Sequence, residues 1–287
     1  MIIITGATGK LGSQIVQQLL ERVPAEQVGV SVRDTELAAP LAARGVRVRH
    51  GDFTDPGSLT AAFEGATQVL IVSASITGDE AVAHHSAAIE AARDAGAQRV
   101  LYTSHQGASV DSFFAAMRDH AATEGNLAKL GVPFTSLRNG FYASTVPYLL
   151  GRTLETGELI APADGPVSWT THADLAEAAA TILAHEVTLD GITPPLTAPE
   201  AHDLESIAGI LSELTGRSIR RVVVDDAEWT QSLIGNGVPQ DQVRMMLGLY
   251  LASRRGEFAA TDPALEQLLH RPAQTIQAFF KAVISPQ

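Results

Sequence analysis

The sequence predicts an α/β protein, built as a doubly wound parallel sheet with a smaller, mostly helical C-terminal cap. Short apolar runs alternate with helical patterns through the first half of the 287 residues, which is typical of a sheet covered by helices on both faces. Beyond about Asn139 the extended pieces are short and helical patterns dominate. This change of pattern predicts the cap.

Six apolar runs predict the strands of the sheet. Gln68–Val72 is apolar almost throughout, as expected for a central parallel strand buried on both faces. Pro56 favours the start of a helix because its ring suits the first helical turn, with Asp55 as the capping residue. The predicted strands cover residues 1–5, 28–32, 46–48, 68–72, 99–102 and 134–137. The other predicted helices of this half cover residues 11–20, 37–43, 79–95 and 117–130.

A glycine-rich turn joins the first strand to the first helix. Gly6 permits the tight turn, Gly9 lets the backbone approach a phosphate, and Gly12 lets the helix pack closely on its strand. The positive end of that helix then points at the bound anion. The pattern predicts a site for the pyrophosphate of a dinucleotide, and the alternative is an ordinary glycine-rich turn.

The residues after the second strand bear on the choice of dinucleotide. Arg33 stands where such a fold meets the adenosine ribose, and a guanidinium there favours the 2′-phosphate of NADP(H). Lys10, in the glycine turn, could add a second positive charge. Asp34 supports the alternative, NAD(H), because its carboxylate could bind the ribose hydroxyl if the strand ends one residue later.

The end of the third strand offers a contact for the adenine ring. Asp52 could accept a hydrogen bond from the exocyclic amine, and Phe53 could flank the ring. The alternative is that Asp52 only caps a turn. We expect residues 1–150 to form the dinucleotide-binding Rossmann domain, with strands returning to it from residues 155–200 as an option, and residues 151–287 to form the smaller substrate cap.

Composition and charge narrow the functional classes. The chain has no cysteine, so disulfide and thiolate chemistry are excluded. A formal charge of −12 argues against nucleic acid as a partner, and no apolar stretch has the length of a membrane span. The nine histidines lack a metal-ligand spacing, so we expect no metal. The N-terminal apolar run lacks a preceding basic region, and we therefore expect a cytoplasmic protein, either monomer or homodimer, that binds a small molecule.

With these motifs in view, the chain resembles the NmrA-like group of atypical short-chain dehydrogenases/reductases. Within that group it is most similar to the branch of NADPH-dependent quinone oxidoreductases and triphenylmethane reductases. The stretch from Arg138 to Tyr142 is its most discriminating part. The segments that carry the resemblance are residues 5–12, 32–33, 51–53, 92–96, 120–124, 131–134, 137–142 and 235–239.

The resemblance implies a set of cofactor contacts. The glycine turn would wrap the pyrophosphate, Arg33 would hold the 2′-phosphate, and the segment Asn139–Tyr142 would lie beside the nicotinamide. An Arg can occupy the position of His172 in this branch, and His172 would replace its contact with the cofactor only in part. The cofactor-binding residues predicted from the motifs and the resemblance are Gly6, Ala7, Thr8, Gly9, Lys10, Leu11, Arg33, Asp52, Phe53, Ser73, Ala74, Ser75, Asn139, Gly140, Phe141 and Tyr142.

The proton-transfer pair of standard short-chain dehydrogenases is missing. They use Tyr-x-x-x-Lys, whereas none of the four tyrosines here has a Lys four positions on. The catalytic candidates are therefore Tyr142, His120 and Ser104. His120 and Glu124 share a helix face, where the pair could orient the imidazole to donate a proton or to hold a carbonyl. The alternative is a plain polar pair on a solvated or interdomain face. Ser104 could position a substrate or act as a cap.

These observations predict an oxidoreductase that transfers a hydride from NADPH to a quinone-like or conjugated, electron-poor acceptor. Such an acceptor supplies its own electron sink, so it needs little help from a protein acid. The rings of Phe141 and Tyr142 could stack on it, or could belong to the core. Two alternatives stay open: a non-catalytic, redox-sensing regulator of the NmrA-like type that binds NADP(H), and a reductase or isomerase of a secondary metabolite.

Overall fold

The computed structural model describes residues 1–284, and its first half alternates strands and helices as predicted. All six predicted strands are present, and α3 begins at Pro56 with the Asp55 side chain accepting the Ser58 backbone N–H. The elements of this half are β1 (Ile2–Thr5), α1 (Lys10–Leu20), β2 (Val28–Val32), α2 (Ala39–Ala42), β3 (Arg47–His50), α3 (Pro56–Phe63), β4 (Gln68–Ile71), α4 (Asp79–Asp94), β5 (Arg99–His105), α5 (Ala115–Ala128) and β6 (Phe134–Asn139).

The second half is mainly helical and contains shorter strands. The helical pattern of the last segment predicts a helix over residues 272–284, but the helix starts only at Ile276. The backbone N–H groups of Ala273 and Gln274 donate to side-chain carboxylates instead of continuing a helix. The elements are β7 (Phe141–Tyr142), α6 (Val146–Leu150), α7 (Thr153–Thr156), β8 (Glu158–Pro162), β9 (Trp169–Thr170), α8 (His172–Leu183), β10 (Gly191–Ile192), α9 (Leu204–Thr215), β11 (Arg220–Val224), α10 (Asp226–Gly235), α11 (Gln240–Arg254), α12 (Ala264–Leu269) and α13 (Ile276–Ile284).

The main sheet has seven strands in the order β10-β6-β5-β4-β1-β2-β3, and every neighbouring pair is parallel. The seventh strand, β10, pairs with β6 and lies within residues 155–200, for which a return to the sheet was one option. Two small parallel pairs, β8 with β11 and β7 with β9, lie outside it. The strand order reverses between β1 and β4, so the crevice at their carboxyl ends is the expected ligand site of this topology.

The sheet separates two of the three apolar clusters. Side chains alternate across it, so Ile4 packs on α1, α8 and α12 while its neighbour Ile3 packs on α3 and α4. The third cluster lies beneath the cap and is built around aromatic rings such as Trp169 and Phe258. Helices beyond residue 150 thus share a core with α1, and the domain boundary at that residue stays a prediction. No helix among residues 1–284 has the length and apolar character needed to span a bilayer.

The contact between α1 and the preceding turn generates the first prediction. A Cβ added at Gly12 would lie 2.2 Å from the carbonyl oxygen of Gly6, so the helix and the turn would have to separate. Gly12→Ala should therefore lower the free energy of unfolding by about 1–3 kcal/mol.

Gly209 in α9 is a matched control because it is exposed and a Cβ there would meet nothing within 4 Å. Gly209→Ala should raise the free energy of unfolding by about 0.5–1 kcal/mol through helix propensity and reduced chain entropy. Urea denaturation of both variants measures these changes. Equal effects of the two substitutions would contradict the close contact at Gly12.

Candidate active site

The glycine turn leaves an anion-binding helix terminus at the carboxyl end of β1. Gly6 has a φ of +62°, and its carbonyl accepts the backbone N–H of Gly9 at 2.9 Å. Gly9 precedes α1 in an extended conformation, and no side chain caps the helix. No acidic residue lies in the first helical turn either. The amides at this terminus therefore lack a side-chain acceptor, and they fit a pyrophosphate.

Arg33 directly follows β2 at the same edge of the sheet. Its side chain is exposed, and its guanidinium has no hydrogen-bond or ion-pair partner within the part of the chain that the structure describes. Asp34 is engaged locally, since its Oδ1 accepts the backbone N–H of Glu36 at 2.9 Å. The arrangement favours Arg33 as the group available to a ribose phosphate.

Asp52 caps the turn between β3 and α3. Its Oδ1 accepts from both the backbone N–H and the hydroxyl of Thr54 at 2.9 Å, and these bonds hold its pKa below the usual range. The second oxygen remains without a protein partner among residues 1–284. Phe53 is half-buried against the cluster beneath α3 and α4. The adenine contact of these two residues stays a prediction.

The loop after β4 is fixed by side chains from three other elements. The backbone N–H groups of residues 72–74 donate in order to Thr5, Thr103 and His85, at 2.8 to 2.9 Å. Because these amide donors are used, residues 72–74 can present only their carbonyl groups and side chains to a ligand. The carbonyl groups accept hydrogen bonds, and the hydroxyls of Ser73 and Ser75 can either donate or accept.

The end of β6 carries a buried polar atom without a partner. Asn139 is 2% exposed, and its Oδ1 accepts no hydrogen bond from any residue that the structure describes. The next residue, Gly140, has to be a glycine, because a Cβ there would lie 2.1 Å from the Thr170 hydroxyl oxygen. An orphaned amide oxygen beside the switch point fits the carboxamide of a nicotinamide, whose N–H groups could donate to it.

Tyr142 and His172 lie against each other at this end of the sheet. Their ring centroids are 4.3 Å apart, and burial raises the pKa of the Tyr142 hydroxyl. Burial, with a smaller contribution from the charge of Lys10, lowers the pKa of His172 to about 4. Lys10 therefore lies within electrostatic reach of His172. One face of the tyrosine ring is covered by the imidazole.

The structure places Phe141 in the core, whereas the sequence suggested that it could line an acceptor pocket. Its side chain is 7% exposed and meets Trp169, Phe258 and His105 edge to face, with centroids 5.0 to 5.4 Å apart. Strand alternation explains the difference, since Phe141 and Tyr142 point to opposite sides of β7. The ring of Phe141 therefore packs in the aromatic cluster beside the site and does not line it.

Glu124 forms an ionic centre between α5 and the sheet, and it does not pair with His120. Its carboxylate accepts from Arg138 Nη2 at 2.7 Å and from the hydroxyls of Ser104 and Ser136 at 2.8 and 3.0 Å. Glu124 is only 4% exposed, so the prediction that it forms a polar pair with His120 on a solvated or interdomain face is wrong. The hydroxyl of Ser104 is committed to this carboxylate, which leaves it unsuited to positioning a substrate.

His120 belongs to a different cluster, which spacing along the chain did not reveal. Its Nδ1 lies 2.8 Å from the Tyr102 hydroxyl, and its ring lies 6.2 Å from that of His105. Burial lowers the pKa of His120 to about 4 and that of His85 to about 3, so both rings are neutral near pH 7. Burial also raises the pKa of Tyr102. Strand alternation, which points Tyr102 towards α4 and α5, was the one available signal.

The glycine turn, the parallel sheet and the crevice at its switch point define a protein of the Rossmann type. Residues 1–280 match the model of the NmrA-like family, and the chain belongs to that family.

Similar proteins are found at the level of both sequence and structure. Quinone oxidoreductase 2 of Escherichia coli (strain K12) is 32% identical over 277 residues, which are 96% of each chain. The crystal structure of an NADPH-dependent quinone oxidoreductase from Escherichia coli, complexed with NADPH, has a TM-score of 0.93 at 31% identity and covers 99% of this chain and 100% of its own. The crystal structure of the Citrobacter sp. triphenylmethane reductase complexed with NADP(H) has a TM-score of 0.90 at 33% identity. The match covers 98% of this chain and 99% of the reductase chain.

The carboxylate of Glu124 generates the second prediction. Glu124→Gln leaves the Arg138 guanidinium without its counter-ion and should lower the free energy of unfolding by about 1–3 kcal/mol. The exposed pair of Arg49 and Glu64 is the control, and Glu64→Gln should cost less than about 1 kcal/mol. Chemical denaturation measures both values. If the two variants were equally stable, Glu124 would not be the structural centre that its contacts indicate.

Proposed function

We propose that the protein is an NADPH-dependent oxidoreductase that transfers a hydride to a quinone-like or other conjugated, electron-poor acceptor. The observation that carries the proposal is the pairing of an uncapped, glycine-lined helix terminus with an unpartnered Arg33 at one edge of the sheet. Membership of the NmrA-like family supports it, as do similar proteins whose names specify quinones, triphenylmethane and NADPH.

Each part of the crevice suits a different part of the dinucleotide. The amides of the α1 terminus would receive the pyrophosphate, and the guanidinium of Arg33 would receive the 2′-phosphate. The Oδ1 atom of Asn139 would accept from the carboxamide, while the loop after β4 would offer its carbonyl groups and the Ser73 and Ser75 hydroxyls to the ribose and the ring. When bound, NADPH supplies the hydride, and these residues supply orientation.

The titrating groups of the site favour an acceptor that needs no protein acid. Burial lowers the pKa of His120 and His172 to about 4 and raises that of Tyr142, so none of these groups is suited to give a proton at neutral pH. A simple ketone would need such an acid. A quinone or a cationic dye accepts the hydride electrons into its own conjugated system, and this chemistry matches the site.

Steady-state kinetics test the proposed reaction. NADPH oxidation should proceed with quinones and triphenylmethane dyes and should be at least about tenfold slower with simple ketones, since the site offers no acid of matched pKa. The measurement is the loss of NADPH absorbance over the same panel, with NADPH affinity determined by titration. Tight NADPH binding without turnover of any acceptor would overturn the proposal and favour a redox-sensing regulator.

The choice of cofactor is tested at two neighbouring positions. Arg33→Ala should weaken NADPH binding by about 1.5–3 kcal/mol and leave NADH binding nearly unchanged, because it removes the partner of a doubly charged phosphate. Asp34→Ala is the matched control and should alter neither affinity much, since its carboxylate serves a local turn. Equilibrium titration with both cofactors measures the effects. A selective loss of NADH binding in the Asp34 variant would identify an NAD enzyme instead.

A further inference from the structure

A chain of hydrogen bonds connects the loop after β4 to His120. The backbone N–H of Ala74 donates to His85 Nε2 at 2.9 Å. His85 Nδ1 lies 3.3 Å from the Tyr102 hydroxyl, which lies 2.8 Å from His120 Nδ1. His85 is 2% exposed and Tyr102 is fully buried, so water does not compete for these bonds. The chain links α4, β5 and α5.

The backbone amide fixes the tautomer of His85. An N–H can only donate, so Nε2 of His85 must be the unprotonated nitrogen. The ring is neutral, and its single proton therefore resides on Nδ1. That proton has an acceptor, because Thr123 Oγ1 lies 3.1 Å away and its own hydroxyl donates to the Asp119 carbonyl at 2.9 Å. His85 thus presents a donor towards Tyr102.

Tyr102 passes this constraint on to His120. Its oxygen faces the Nδ1–H of His85, which makes it an acceptor on that side. We assign the phenolic proton to the contact with His120 Nδ1, because the facing nitrogen of His85 is already protonated and the distance of 2.8 Å is typical of a well-formed hydrogen bond. Because Nδ1 of His120 accepts, the neutral imidazole carries its proton on Nε2.

The second ring nitrogen of His120, Nε2, is the one left for a ligand. It has no hydrogen-bond partner among residues 1–284, and His120 keeps part of its surface exposed. Its ring lies 6.2 Å from that of His105, which is the last residue of β5. The donor therefore stands at the carboxyl end of the sheet, where an acceptor would meet the nicotinamide.

We propose that the Nε2–H of His120 donates a hydrogen bond to the oxygen of a quinone-like acceptor, and that Tyr102 and His85 are positioning residues that hold His120 in the required tautomer. The inference rests on the proposed function. A neutral imidazole can stabilise a developing oxyanion in this way without giving up its proton.

The step balances without a protein acid. A C–H bond of the reduced nicotinamide breaks, its hydride forms a new C–H bond at an electron-poor carbon of the quinone, and the conjugated π pair moves onto the carbonyl oxygen. NADPH is oxidised and the quinone is reduced. The resulting oxyanion takes its proton from solvent, and His120 remains neutral throughout. A cationic triphenylmethane dye behaves differently, because the hydride neutralises its central carbon and no oxygen develops charge.

This difference gives a test with an internal comparison. His120→Phe should lower kcat for menadione by about 100- to 1000-fold, the scale of a lost oxyanion donor, and leave kcat for crystal violet within about threefold. His120→Gln keeps an N–H donor and should recover part of the menadione rate. NADPH affinity should stay unchanged in both variants. Equal losses with both acceptors, or no loss with menadione, would overturn the proposed contact.

The tautomer can be read directly in the unmodified protein. Long-range ¹H–¹⁵N correlation spectra of ¹⁵N-histidine-labelled protein should show the proton of His120 on Nε2 and that of His85 on Nδ1. Tyr102→Phe should convert His120 to a mixture of tautomers and lower kcat for menadione more than it changes KM. Tyr250→Phe, at a buried tyrosine in α11, is the matched control and should change neither. An Nδ1–H tautomer of His120 in the wild-type protein would overturn the inference.

The two proposals fail in distinguishable ways. Absence of turnover by the wild-type protein, with NADPH bound, removes the proposed function and with it the role of His120 in the reaction. Turnover that proceeds equally well in the His120 and Tyr102 variants removes only the further inference. The spectra report on the hydrogen-bond chain in either case, because they require no acceptor.

Discussion

The close approach of α1 to the turn after β1 is the contact on which the site depends. At Gly12 there is no room for even a Cβ, because the Gly6 carbonyl would lie 2.2 Å from it. This approach brings the amides of the helix terminus to the carboxyl ends of β1 and β4, where the strand order reverses. A helix held farther away would lose its packing on the core, to which it contributes Leu11 and Ile15, and also its position over the crevice.

Side chains from neighbouring elements fix the loop after β4, which lies at the same end of the sheet as the α1 terminus. Thr5, Thr103 and His85 hold the loop after β4 by its amides, so its shape is determined before any ligand arrives. His85 has a second consequence, because the same bond that holds Ala74 also decides which of its nitrogens carries the proton. The hydrogen bond between Ala74 and His85 thus bears both on the geometry of the loop after β4 and on the tautomer that we infer for His120.

The sequence predicted those features that depend on local pattern. The central strands β1 and β4 are buried throughout and could be recognised as apolar runs, and Gly6, Gly9 and Gly12 mark a turn whose geometry needs glycine. The two-residue strand β10 has no such pattern. Spacing could show that His120 and Glu124 share a helix face, but it could not show what lies opposite. Arg138 and Ser104 come from two other elements, β6 and β5, and their side chains donate to Glu124 and not to His120.

The chain lacks a Tyr-Lys pair, and burial of the other titratable groups around the crevice means that none of them replaces it as a general acid. A general acid must exchange its proton near the working pH, yet burial moves the pKa of each histidine around this crevice downwards and that of each tyrosine upwards. Such groups can donate or accept hydrogen bonds with fixed polarity, but they rarely change their charge. A site built this way suits reactions in which the substrate itself accepts the electrons, and in which the protein needs only to hold a donor in place. The same burial that removes an acid keeps each ring neutral, and the hydrogen-bond partners of the ring then decide which nitrogen carries the proton.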